Sequence, residues 1–195
     1  MTEGPRWTRG RFLRAAVGGG VVASGAAIAA RTGSGTSQAA TPDAEILSLF
    51  LLLEQVQEGF YRAALESGRL SGRLLEFAST VGRQETAHVA FLSERLGDRA
   101  RERPRSDFES ALRTPAAFAD AAIALEEAAI GAYVGQGASL SRDAVGPIAT
   151  LVAVEARQAA WVRDLAGVSP APRAADPARN PDDVLADLRD RGFLA

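Results

Sequence analysis

The chain has 195 residues, with 22 basic and 24 acidic side chains, a formal net charge of −2 and no cysteine. The lack of cysteine excludes disulfides, thiolate metal sites and a lipidated amino-terminal cysteine. Met1–Arg31 holds five arginines and one acid, so the remainder carries 17 arginines against 23 acids, a net −6 that argues against nucleic acid as a partner.

The first 40 residues have the three-part layout of an export signal. A basic segment, Met1–Arg14, precedes an uncharged run rich in Ala, Gly and Val from Ala15 to Ala30. Small-residue cleavage patterns follow around Ala27-Ile28-Ala29 or Ser37-Gln38-Ala39. The apolar run is 16 residues long, short of the ~18–20 that a spanning helix needs. Thr8-Arg9-Gly10-Arg11-Phe12-Leu13-Arg14 resembles a twin-arginine signal in which Gly10 replaces one arginine of the pair. The expectation is therefore export to the periplasm or cell envelope, with an uncleaved leader acting as a membrane anchor as the alternative. Thr32–Ala40 reads as a short linker.

From residue 41 onward the pattern is helical: Ala, Leu, Arg and Glu dominate and no sustained apolar–polar alternation appears. Thr41-Pro42 reads as a cap and first helical residue, with Asp43 and Glu45 in the first turn. The first helix is expected to reach about Glu66 and stop near Gly68, with Leu47, Phe50, Leu51, Tyr61 and Leu65 on its apolar stripe and Glu54 inside it. A second helix is expected from about Arg73 to Leu96, with Gly97 as the stop. Its stripe of Val81, Val89, Leu92 and Leu96 encloses Glu85 and His88, the only histidine. Alone, that pair reads most simply as a buried histidine bonded to a carboxylate. The arginine-rich Gly97–Asp107 is a solvated connection or a crossover.

Thr114-Pro115 repeats the capping pattern and opens a third helix to about Gln136, with Glu126 among Ala119, Ala122, Ala129, Ile130 and Tyr133. Glu127 falls at the rim. A fourth helix is expected over about Pro147–Ala166, with Glu155 and Gln158 among Ile148, Leu151, Val152, Ala159 and Val162. Asn180-Pro181 caps a short last helix that offers Val184, Leu185 and Leu188 for docking. The pattern predicts an all-α domain over residues 41–195: a four-helix bundle with a short extra carboxy-terminal helix.

The two halves of the domain overlay. Leu53-Glu54, Gly59 and Tyr61 recur as Leu125-Glu126, Gly131 and Tyr133 at the same offsets. Glu85, His88, Phe91, Leu92 and Gly97 recur as Glu155, Gln158, Trp161, Val162 and Gly167. Two helical hairpins of one design should then meet about a pseudo-twofold axis, bringing Glu54, Glu85, Glu126 and Glu155 together. Ionised carboxylates in an apolar core cost several kcal/mol each. Either they are protonated and share hydrogen bonds, or cations neutralise them. Two divalent ions match four carboxylates in charge, and oxygen with imidazole donors suits iron or manganese.

This arrangement resembles the ferritin-like di-iron carboxylate proteins, whose bundles supply Glu from two helices and Glu-x-x-His from the other two. More closely it is similar to the exported ferritin-like-domain family of bacteria, related to plant desiccation-associated proteins. Leu51–Leu65, Glu85–Leu92 and Val154–Gly167 carry the likeness, which extends over about Thr41–Ala195. The resemblance implies a di-iron or iron–manganese centre with Glu54, Glu85, His88, Glu126, Glu155 and Gln158 as metal ligands. Glu54, Glu85 and His88 would form one position; Glu126, Glu155 and Gln158 would form the other. Gln158 departs from the pattern, since histidine is expected there, and Glu58 is a candidate compensating carboxylate. Three functions follow: a metal protein oxidising iron or handling peroxide or oxygen; an exported bundle with a degenerate site serving a structural or stress-related role; or a membrane-associated scaffold anchored by its leader.

Overall fold

The structure, a computed structural model, describes residues 42–195; the leader and the Thr41 cap lie outside the described residues. Every regular element described is helical. Four long helices, α1 (Pro42–Glu66), α2 (Gly72–Leu96), α3 (Pro115–Gln136) and α4 (Arg142–Leu165), are followed by the short α5 (Pro181–Asp190). Among the described residues, no helix is long and apolar enough to cross a membrane.

Local chemistry sets the helix ends. Gly68 and Gly97 stop α1 and α2 with φ of 63° and 55°, a left-handed conformation that glycine adopts without strain. Thr114 caps α3, its Oγ1 accepting the Ala117 N–H at 3.1 Å, with Pro115 at the first helical position. The fourth helix starts five residues before the proline that the sequence suggests as its beginning. Ser141 caps it instead, accepting from Ala144 N–H at 3.3 Å, and Pro147 sits inside the helix. Asp43 supports this start by accepting the Ser141 N–H at 2.8 Å and its Oγ–H at 2.5 Å. The Ser141 hydrogen bonds, side chain first, hold the Asp43 carboxyl below its ordinary value.

α1 packs on α2, and α3 on α4; the hairpins meet through α1–α3 and α2–α4 contacts. The hydroxyl of Tyr61, late in α1, meets Glu126 in the middle of α3, and Tyr133, late in α3, meets Glu54 in the middle of α1. That reciprocity makes α1 and α3 antiparallel. The connection between α2 and α3 must therefore travel the length of the bundle, and it lies along α1: Gln55 donates to the Arg101 carbonyl at 3.0 Å, and Phe108 packs edge-on to Phe60. Arg103 pairs with Glu58, so the arginine-rich stretch is a tethered crossover.

This cover explains why α1 and α3 are buried nearly all round. Phe60 lies among Tyr61, Phe108, Phe118 and Phe193. On α3, the segment before α5 runs across the outer face, with Arg179 N–H donating to the Gly131 carbonyl at 2.9 Å. A Cβ at Gly135 would stand 2.2 Å from the Arg179 carbonyl oxygen, so only glycine allows that approach. Val184 and Leu188 of α5 are buried, as their apolar spacing predicts. Leu65, expected on the α1 stripe, is instead 36% exposed, because α1 outlasts its cover at that end.

Candidate metal centre

The four glutamates are all fully buried, one from each long helix, with Gln57, Gln158, Tyr61 and Tyr133 buried beside them and His88 8% exposed. The i, i+3 spacing of Glu85 and His88 places both on the inner face of α2. His88 Nδ1 lies 3.0 Å from Glu54 Oε2, 3.1 Å from Glu155 Oε1 and 3.3 Å from Glu85 Oε2. An imidazole nitrogen carries at most one hydrogen, so it can bond only one of the three. Glu85 Oε2 and Glu155 Oε1 are left buried without a hydrogen-bond partner.

Donors from the rest of the bundle fix the other carboxylate oxygens. Tyr133 donates to Glu54 Oε1 and Tyr61 to Glu126 Oε1. Gln57 Nε2 donates to Glu126 Oε2 and to Glu155 Oε2, each at 3.0 Å. Gln158 Nε2 donates to Glu85 Oε1 at 2.8 Å and Gln84 Oε1 at 3.0 Å. Glu155 therefore spans the centre, one oxygen toward His88 and the other toward Gln57.

The electrostatics follow from this packing. Burial raises every carboxyl here, and the charges of Glu155 and Glu54 add to it at Glu85, which is held well above its usual range. Glu126 is likewise raised well above it by burial and by Glu155, against the opposing bond from Tyr61. Glu155 is raised by burial and the Glu54 charge, with His88 opposing. Glu54 differs: burial pushes it up, but His88, the neighbouring Glu85 carboxyl and the Tyr133 hydroxyl more than offset this and hold it below the ordinary value. Burial works against a charged His88, yet the Glu155, Glu54 and Glu85 carboxyls gathered around its Nδ1 prevail and push it up to about 12. Burial and the facing Glu126 and Glu54 charges raise Tyr61 and Tyr133 well above their usual range, so both remain hydroxyl donors.

The donor set fits a divalent ion. One ligand atom from each of Glu54, Glu85, His88 and Glu155 lies within 4.8 Å of every other. Ligands sharing one ion at about 2.1 Å stand about 3.0–3.4 Å apart in octahedral or tetrahedral arrangements. The 3.0–3.3 Å separations around His88 Nδ1 match that spacing. Three carboxylates and an imidazole are the hard-to-borderline mixture that iron and manganese accept.

The family model described as "ferritin-like domain" matches residues 42–168. The chain belongs to this ferritin-like family. No curated protein matches it. All six residues that the resemblance implied as ligands lie at the centre of this ferritin-like bundle, but not in the two groups expected from the repeat. Glu155 of α4 joins Glu54, Glu85 and His88, because α4 packs against α2 and brings Glu155 Oε1 to 3.1 Å from His88 Nδ1. Gln158 turns its amide toward α2, bonding Glu85 and Gln84 and not Glu126. Glu58 stands outside the centre, accepting from Thr86 Oγ1 at 3.3 Å and pairing with Arg103. Glu127 lies at the rim as expected and pairs with Arg163.

Sequence reasoning missed Gln57. Its signal was present: it lies three residues after Glu54 and four before Tyr61, on the same helical face, yet its repeat counterpart is Ala129. A search restricted to residues shared by both halves passes over it.

Proposed function

We propose that this ferritin-like domain binds a divalent redox metal, iron or manganese, at the bundle centre through Glu54, Glu85, His88 and Glu155. The observation that supports this best is the pair of fully buried carboxylate oxygens, Glu85 Oε2 and Glu155 Oε1, lying unbonded beside His88 Nδ1. Buried acceptors are ordinarily satisfied, and a cation satisfies both at once. When bound, such an ion would supply one-electron chemistry toward ferrous iron, oxygen or peroxide, which supports a role in oxidising iron or handling peroxide. The chain's own residues prepare the site. Tyr61 and Tyr133 orient Glu126 and Glu54, the aromatic cluster of Phe60, Phe77 and Phe118 excludes water on one side, and His88, the one partly exposed member, marks the side of approach.

Elemental analysis of protein purified without chelators tests this reading, with about one or more iron or manganese ions per chain expected. Metal-free protein that neither binds nor is stabilised by added Fe²⁺ or Mn²⁺ would overturn it. A second reading, a non-catalytic bundle with a structural or stress-related role, has one observation in its favour: the amides of Gln57 and Gln158 already bond three of the four glutamates.

The same proposal places the protein outside the cytoplasm, on the strength of the basic, apolar and small-residue order of Met1–Ala40. A fusion of residues 1–40 to a folded reporter should reach the extracytoplasmic side, and Gly10→Arg should improve that if the twin-arginine route is used. Cytoplasmic retention, unaffected by Arg9→Lys, would sink the export reading.

A further inference from the structure

The pseudo-twofold axis that maps Glu54 onto Glu126, Glu85 onto Glu155 and His88 onto Gln158 implies two equivalent ion positions. The structure makes them unequal. At the first, His88 Nδ1 faces Glu54 Oε2, Glu85 Oε2 and Glu155 Oε1, and the last two have no hydrogen-bond partner. At the second, the corresponding oxygens are occupied. Glu126 Oε2 and Glu155 Oε2 each accept an N–H of Gln57 at 3.0 Å, and Glu126 Oε1 accepts from Tyr61. Gln158, the residue that should serve this position, gives its amide N–H groups to Gln84 and Glu85.

We infer that the Gln57 side-chain amide closes the second metal position, so that this chain holds a single ion where its repeat provides for two. The inference rests on the metal-binding reading above. An amide NH₂ presents two N–H dipoles and no available lone pair, so it bonds two carboxylates as a cation would but cannot ligate one. Gln57 becomes a ligand only if its terminal amide flips and presents Oε1 to Glu126 and Glu155. Beside ionised Glu126 and Glu155, the state that a bound ion requires, the surroundings favour the orientation seen. As it stands, both hydrogens are bonded and only Oε1, which is buried, lacks a partner. The flipped amide would face two carboxylates with its oxygen and carry both hydrogens to a place where Oε1 meets no partner. Losing two buried hydrogen bonds weakens a second ion by about 100-fold, roughly tenfold for each. The first position has no such plug, because the repeat counterpart of Gln57 is Ala129.

Mn²⁺ binding to the full-length metal-free protein tests this, with stoichiometry from equilibrium dialysis and ion separation from low-temperature electron paramagnetic resonance. The wild type should take up one tight ion per chain, with the six-line spectrum of an isolated Mn²⁺. Gln57→Glu, which replaces the plug with a carboxylate, should add a second ion and give the multi-line spectrum of a coupled pair. If that variant does not fold without metal, Gln57→Ala removes the donor without adding charge and should strengthen the second ion at least about tenfold. Two ions of similar affinity with a coupled spectrum in the wild type would overturn the role of Gln57 and leave the metal reading intact. A single ion in folded Gln57→Glu and Gln57→Ala would also overturn it. No Mn²⁺ or Fe²⁺ bound to the wild type would remove the metal reading itself, and this inference with it.

Discussion

At the scale of single residues, the centre is a problem of buried charge with several partial solutions. Glu54 is held ionised by His88 and Tyr133, whereas Glu126 is pushed toward its neutral form despite Tyr61. The two tyrosines occupy equivalent places but bond carboxyls of unequal charge. Hydrogen bonds to charged groups contribute about 1.5–3 kcal/mol, against about 1 kcal/mol for neutral ones. Tyr133→Phe should therefore destabilise the metal-free protein more than Tyr61→Phe, by about 1–2 kcal/mol in urea unfolding. Equal losses would show that the two carboxyls carry the same charge. His88→Ala removes the one cation that, among the described residues, faces these three carboxyls, and should cost the metal-free protein about 3–5 kcal/mol, measured the same way.

The same charges set a pH dependence. Glu85, Glu126 and Glu155 have folded values raised above 4.5, and His88 is raised from 6.5 to about 12. A raised group contributes its full stability below its unfolded value and loses it as pH rises through the folded one. Glu54, held low, works in the opposite sense, but its contribution is lost only as pH falls below its unfolded value, outside the range considered next. The thermal midpoint of the metal-free protein should thus fall from about pH 5 to about pH 9. Metal displaces these protons, so the gap between loaded and metal-free midpoints should widen over the same range. A gap that narrows with pH would show that the carboxylates are not where the metal binds.

At the scale of elements, each hairpin leads with a helix whose outer face is covered by a connecting segment. Gly59 on α1 lies under the Phe108 ring, 3.4 Å from the place of its absent Cβ, and Gly135 on α3 lies under the Arg179 backbone. Gly135→Ala must push that segment away and loosen α5, at a cost of about 1–3 kcal/mol. Thermal melting and limited proteolysis around residues 169–180 measure this. Gly137→Ala is the control, because nothing lies within 4 Å of a Cβ there and its φ is −57°. It should be neutral or slightly stabilising. Arg179 completes the cover by pairing with Asp187 at 3.2 Å; Asp187 also meets Arg191 at 2.9 Å. Burial raises the Asp187 carboxyl, but the bonds from Arg191 and Arg179 outweigh this and hold it low.

At the scale of the whole molecule, the bundle joins its two hairpins through a core that carries its own repulsion. A bound ion converts that repulsion into attraction, so metal should stabilise the fold as a whole. At 100 times the dissociation constant, a ligand specific to the folded state adds about 2.7 kcal/mol. For a domain of this size that corresponds to about 5–11 °C in the thermal midpoint. Calorimetry with and without chelator reads it directly, and an unchanged midpoint under saturating Fe²⁺ or Mn²⁺ would contradict binding at this centre.

Much of this organisation was legible in the residues, because local periodicity dictates it. The 3.6-residue spacing put Glu54, Glu85, Glu126 and Glu155 on inward stripes. The capping of α3 by Thr114 and the glycine stops after α1 and α2 follow from backbone chemistry that acts over a few residues. The equal offsets of Glu54–Tyr61 and Glu126–Tyr133 announced two like hairpins, and the crossed tyrosine–glutamate bonds realise them. Tertiary structure alone decided what lies across from what. The start of α4 at Arg142 depends on Asp43, 98 residues away, bonding the Ser141 cap. The all-round burial of α1 and α3 depends on the crossover and on the segment at Arg179, neither of which has a periodic signature. The position of Glu155 with His88, and of Gln57 between Glu126 and Glu155, depends on side chains from different helices competing for the same few ångströms. Sequence sets which face a side chain shares; only packing sets which oxygen meets which nitrogen.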